Sequence, residues 1–447
     1  MTQSTPNAIS ANALTEGQQP AAADAVSHVR ITTLDNGLTI ATDPMPTVAS
    51  TTLGCWIKAG SRNETQAENG AAHLLEHMVF KGTKTRSAMD ISAEIEQVGG
   101  MLNAHTSREA TAFHVRLLAD DVPLGVDVIS DLVLNAVIDT GELDKERGVV
   151  LAEIGQSLDS PDDVVFDHWQ STALPGQPLG RPILGTAETV GGMPRDTLAG
   201  FVNRHYRPDQ MVFAASGAVD HDAFVDLVSS KYEGHDFGAD PIETAPALTY
   251  QGGETLIKDD LEQVHWLLGF EGISVQDDDL HALAVLNVAL GGGMSSRLFQ
   301  EVREKRGLVY SVFSFTSTYA DGGLFGIYAG TAPDKVAELA PVVAETMRKA
   351  KGDITGQEFD RAKAQIRAAL VMALESTSSR AESVAQQMIR FGRPIPLAET
   401  LDKLDAVTPA DLDRMLGRLL ASAPTLTALG PVDNVPKLDQ MTGWLAA

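Results

Sequence analysis

Within the apolar run AAHLLEHMVF, residues 71–80, two histidines and a glutamate fall in five positions: His73, Glu76 and His77. On a helix, side chains three and four apart share a face, so both imidazoles can point at one cation with the Glu76 carboxylate beside them. Two imidazoles suit zinc. A coordination position left open would hold a water whose pKa the metal lowers to about 7, and Glu76 would take its proton. A histidine alone on an apolar helix face usually satisfies a core hydrogen bond, the reading that fits His114 and His281. Burying two imidazoles and a carboxylate without a shared cation would leave polar groups uncompensated.

A catalytic zinc site needs a third protein ligand. No other histidine has a partner at helical ligand spacing, which turns the search to carboxylates on a second helix. DKERGVVLAEIGQ offers Glu146 and Glu153, two turns apart on one face. An internal repeat tests the set. The stretch from MLNAHTSREATAFHVRLL to VDVISDLV has the strand, turn, strand, helix pattern of GLVYSVFSFTSTYADGGLFGIYAG to VAELAPVV. ELDKERGVVLAEI lies over EFDRAKAQIRAAL, and RPILGTAET has an echo in RPIPLAET. In the second copy His73, Glu76 and His77 fall on Leu283, Leu286 and Asn287, and Glu146 and Glu153 on Ala362 and Ala369. One site present in one copy explains that joint loss better than five separate structural roles.

The elements that must carry these residues follow from periodicity. RITTLDNGLTIATDP reads as two strands around a DNG turn, with TTLGCWIKAG as a third. Helices are expected around 70–80 and 88–98, then a hairpin over MLNAHTSREATAFHVRLL, then a helix-rich region from about 120 to 230. The class is α+β, two homologous α/β-layer domains, each a mostly antiparallel sheet covered by helices. Residues 1–29, rich in Ala, Gln, Thr, Ser and Pro, read as a disordered tail. The first domain spans 30–235, the polar stretch 236–250 is a linker, and the second domain spans 251–447.

The 447 residues exceed what one core usually supports, and 43% hydrophobic with 21% charged residues is ordinary for a soluble globular chain. A formal net charge of −26 argues against a nucleic-acid partner, and no apolar stretch is long enough to span a membrane. Cys55 is the only cysteine, which excludes an intrachain disulfide and points to a reducing compartment. Residues 1–29 carry no Lys or Arg and no continuous apolar segment, so the expected location is the cytoplasm.

His73-Leu74-Leu75-Glu76-His77, with Glu153 in ERGVVLAEI, resembles the M16 pitrilysin-type (inverzincin) zinc peptidases, in particular their processing-peptidase-like branch. GSRNE at 60–64, MVFKGT at 78–83, NAHTSRE at 103–109 and PLGRPILG at 178–185 extend the similarity over about residues 30–447. The resemblance implies a LuxS/processing-peptidase-like fold enclosing a chamber. It also implies one Zn2+ per chain held by His73, His77 and Glu153, with Glu76 as general base. Glu146 would hold a ligand histidine in its tautomer.

By the same resemblance, Arg303 and Tyr310 of EVREKRGLVYSV would reach across the chamber to the peptide from the second domain. Asn103 and Ala104 would hold an extended substrate backbone on an edge strand, and Phe80 would line the pocket just after the scissile bond. Asp163 and Asp167 of SPDDVVFDHW either bind a substrate Arg or serve the start of a helix. The implied activity is a zinc-dependent endopeptidase acting on peptides or presequence-like segments, possessing both catalytic halves in one chain and forming a homodimer. A noncatalytic core subunit of a larger complex is the rival.

Overall fold

Apolar runs that are continuous rather than alternating mark strands covered on both faces, and LGCWI, MVFAASG and GLFGIYAG are of that kind. In the computed structural model, which describes residues 28–235, 237 and 244–447, they form the interiors of two sheets. The first contains β1 (Arg30–Thr33), β2 (Thr39–Pro44), β3 (Ser50–Ile57), β4 (Met101–Thr106), β5 (Thr111–Leu118) and β6 (Met211–Gly217). The second contains β7 (Gly253–Lys258), β8 (Val264–Glu271), β9 (Val309–Thr318), β10 (Gly323–Thr331) and β11 (Thr425–Gly430).

The strand orders are β1-β2-β6-β3-β5-β4 and β7-β11-β8-β10-β9. Without β1 they match position for position, each with one parallel pair, β2 with β6 and β7 with β11, among antiparallel neighbours. The duplication is therefore a duplication of fold. Most of the expected 1–29 tail and the 236 and 238–243 portion of the expected linker lie outside the described residues. The region read as helix-rich between 120 and 230 also contains a strand that was not expected, β6, which enters the sheet between β2 and β3.

Each sheet has one face on the helices of its own half and borrows a helix for the other face. Helix Pro161–Ala173 crosses from the first half to the second sheet, where Val164, Val165, Trp169 and Ala173 pack on Leu267, Leu324, Tyr328 and Leu429. Helix Thr377–Phe391 makes the reciprocal crossing. Its Ala381 and Ala385, one turn apart, let it close on Trp56, Ala112, Val212 and Ala214. The same junction carries a bidentate Arg380–Asp43 pair at 2.5 and 2.6 Å and a bond from Arg62 to Asp321 at 2.6 Å. A separate pair of domains on a free linker is not what results. Among the described residues no helix is long and apolar enough to cross a membrane.

Trp169 lies flat on β8 at Gly269, where an added Cβ would sit 2.3 Å from its ring. Gly269→Ala should overpack this junction and cost about 1–3 kcal/mol. Urea denaturation followed by tryptophan fluorescence measures it. An unchanged midpoint would contradict the close packing described.

Candidate metal centre

The helix Ala71–Val79 buries Ala71, Ala72, Leu74, Leu75, Met78 and Val79 against the first sheet. That leaves His73, Glu76 and His77 on one stripe of the remaining surface. Its start is unusual. Gly70 is the N-cap, with φ 94° and no side-chain cap, and a Cβ there would meet Leu184 O at 2.8 Å. The free amides are met from upstream. The Glu64 carboxylate, 2% exposed, accepts from Gly70 N at 2.9 Å, Ala72 N at 2.8 Å and Asn69 Nδ2 at 3.1 Å. Burial pushes this carboxyl up to about 7, while the Ala72 and Gly70 amides, Asn69 and the charge of Arg181 pull the other way. Glu64 thus anchors the turn that carries His73.

Helix Thr140–Leu158 begins at an Asp139 cap that accepts from Gly141 N and Glu142 N. It crosses the metal helix and brings Glu153 Oε2 to 3.7 Å from His73 Nε2 and 3.6 Å from His77 Nε2. All three donor atoms lie within 4.8 Å of one another. Tetrahedral ligands at about 2.0–2.1 Å from zinc stand about 3.4 Å apart, so this set closes on such an ion with small side-chain shifts. Burial, then the charge of His77, pushes the His73 imidazole down to about 4 and keeps it an unprotonated ligand near neutral pH. Among the described residues it is the one cluster of this kind.

Glu146, 5% exposed, faces His77 Nδ1 with Oε2 at 3.2 Å and Lys81 Nζ with Oε1 at 2.8 Å. A carboxylate at Nδ1 favours a proton there and leaves Nε2 as the free donor. His73 Nδ1 is buried with no hydrogen-bond partner among the described residues. Glu76 Oε2 accepts from Thr106 Oγ1 at 2.6 Å. Burial raises its pKa against the pull of Thr106, His77 and His105, with Glu153 adding to the rise, which suits a group that must take and return a proton. The cleft outside, about 380 Å³, is lined by residues that include His73, Glu76, Ala104, His105, Thr106 and Asp167.

The remaining expected residues divide. Ala104 lines this cleft on β4, the edge strand, while Asn103 is exposed and accepts from Ala104 N through its own Oδ1. Phe80, just after the metal helix, is half-buried with its ring 6.3 Å from Phe113. Asp167 faces the cleft, but Arg108 Nη2 already stands 3.4 Å from it. Asp163 is exposed in the first turn of its helix. Arg303 and Tyr310 meet each other, guanidinium over ring at 5.5 Å, and the guanidinium also lies 4.9 Å from the Phe299 ring. The two leucines at the repeat positions, Leu283 and Leu286, are buried. Thr106, Lys81 and Glu64 sit in motifs already noted, yet nothing in their spacing signalled a partner.

Two family models match the chain, "Insulinase (Peptidase family M16)" over residues 39–187 and "Peptidase M16 inactive domain" over residues 192–366. An uncharacterized zinc protease of Streptomyces coelicolor is 40% identical over 418 residues, covering 92% of this chain and 91% of that one. One of Bacillus subtilis is 36% identical over 410 residues, covering 90% and 98%. A solved protease from Helicobacter pylori shares the fold with TM-score 0.85 at 24% identity, over 90% of this chain and 99% of that one. So does a chain of complex III2 from Candida albicans, TM-score 0.83 at 22% identity, over 93% and 99%. The chain belongs to peptidase family M16.

Glu64→Ala leaves two amides at the start of the metal helix without an acceptor. Divalent-metal affinity, measured by competition with a chromophoric chelator, should fall about tenfold. Wild-type affinity in the variant would show that the cap does not position His73.

Proposed function

We propose that this chain is a zinc-dependent endopeptidase that hydrolyses peptides or unfolded presequence-like segments bound in extended form. The observation that carries this reading is the convergence of His73, His77 and Glu153 with a fourth polar group, Glu76, left over beside an open strand edge. Bound by those three residues, zinc would polarise a substrate carbonyl and acidify water. Glu76, held by Thr106, takes the proton from the attacking water and returns it to the leaving amine. Glu146 keeps His77 in one tautomer through the cycle. Among the described residues β4 pairs only with β5, so its outer edge can take a peptide as an added strand, with Asn103 and Ala104 beside its backbone and Phe80 next to the residue after the cut.

Arg303 and Tyr310 serve the oxyanion and the substrate. Ser311 pairs with Gly330 and Val309 with Thr331, so Tyr310 is the extra residue of a β-bulge. Bulges re-aim side chains, and this one turns the Tyr310 ring outward to 77% exposure. Arg303 comes from a π-helical turn, Phe299–Glu304, and lies against it. Arg303, half-buried, is steadied by the Phe299 and Tyr310 rings at 4.9 and 5.5 Å. Both halves of the machinery lie in one chain, so the homodimer we expect needs no catalytic residue from its partner. Asp163 and Asp167 offer charge to a substrate Arg, at the cost of displacing Arg108 from Asp167.

Glu76→Gln should keep wild-type zinc and lose peptide cleavage by about 100-fold or more. Tyr310→Phe should lower kcat by about 100-fold with zinc unchanged. Metal analysis and mass-spectrometric mapping of cuts in a mixed library of unfolded peptides test both. Undiminished cleavage by Glu76→Gln would remove Glu76 as the general base, whereas no cleavage of any peptide by the wild type would favour a noncatalytic core role.

A further inference from the structure

One carboxylate near the cleft belongs to neither the metal set nor any ion pair with a lysine or arginine. Glu382 lies on the crossing helix Thr377–Phe391 and reaches the first sheet from the second half of the chain. Its Oε2 accepts from Trp56 Nε1 at 2.7 Å, and its Oε1 accepts from Gln386 Nε2 at 3.0 Å. His105 Nε2 stands 3.8 Å from Oε1, and both side chains are open to solvent, 43% for His105 and 37% for Glu382. Among the described residues no Lys or Arg pairs with it. Two neutral donors fix the carboxylate, and it retains acceptor sites facing outward. Asp167, by contrast, already has Arg108.

The alternation of β4 connects this carboxylate to substrate. Ala104 and Thr106 face the metal helix, and Thr106 bonds Glu76. Asn103 and His105 alternate to the opposite side of the strand, where the His105 ring, which also borders the rim of the metal cleft, lies 5.9 Å from His114, which in turn stacks on Trp56 at 6.4 Å. A peptide added at the free edge of β4 has the same two-residue period. Side chains of one parity enter the metal cleft, and those of the other stand about 5 Å from their cross-strand neighbours on the His105 side. A long basic side chain opposite His105 can lay its stem along the imidazole and deliver its charge to Glu382. A short or acidic one cannot.

Resting on the peptidase reading above, we propose that Glu382 is a specificity determinant that selects Lys or Arg at the substrate position opposite His105 on β4. The site spans both halves of the chain, with the strand from the first and the charge from the second.

The test uses the full chain with zinc and one neutral peptide that it cleaves, remade with Arg, Gln or Glu at each position around the cut. The readout is the ratio of kcat/KM for Arg over Gln at each position, which a uniform loss of activity does not move. In the wild type the ratio should exceed one at one position, or at positions of one parity. In Glu382→Gln it should fall there by about tenfold, the loss of a charge-assisted hydrogen bond. In Glu382→Lys the Glu peptide should become the better substrate at that position. An Arg/Gln profile identical in wild type and Glu382→Gln overturns the proposal while leaving the peptidase intact. A fall spread equally over positions of both parities also overturns it. No cleavage of any peptide by the wild type overturns the peptidase reading and this proposal with it.

Discussion

Two imidazoles from one helical turn and a carboxylate from another helix have to meet around a single point, and most of the first half of the chain is arranged to make them meet. The metal helix is short and starts at a glycine that contributes no cap, so its first turn would fray without Glu64. The helix that supplies Glu153 also supplies Glu146, two turns earlier, and Glu146 restrains the second histidine. One helix therefore provides both a ligand and the brace for another ligand. A charge brought this close to two imidazoles is compensated only when a cation joins them, which ties the burial of the site to its chemistry.

Around that centre the fold is a duplicated sheet whose copies are locked by exchange. Each lends a helix to the other, and buried polar contacts such as Arg380–Asp43 fasten the junction. The exchange has a functional side. It brings Asp167 to the wall of the metal cleft and sets Glu382 behind the strand that offers its edge to substrate. The second copy has leucines where the first has His73 and Glu76, and instead presents Tyr310 on an edge bulge with Arg303 stacked against it.

Much of this was legible in the order of residues. His73, Glu76 and His77 could be grouped because helical spacing converts sequence distance directly into a shared face, and Glu153 could be added because two turns separate it from Glu146. The hairpins β1–β2 and β4–β5 were visible in alternation and turn residues. β6 was not, because MVFAASG is apolar on both faces and follows several helices, so periodicity offers no contrast. Nor was the helix exchange, since an apolar stripe reveals that a face is buried and not which sheet buries it. Glu64 caps from six residues before the N-cap Gly70, outside the usual capping spacing, and Glu382 meets Trp56 and His105 only through the tertiary fold. Local chemistry was readable; partners brought together by the fold were not.

The most direct measurement is X-ray absorption at the zinc edge on the purified full chain, with metal content determined on the same sample. The expected result is one zinc per chain with two imidazole nitrogens and a carboxylate oxygen at about 2.0–2.2 Å, and loss of that signature in Glu153→Ala. A chain that takes up no zinc, or a zinc whose imidazole signature survives replacement of both His73 and His77, would contradict the centre described here.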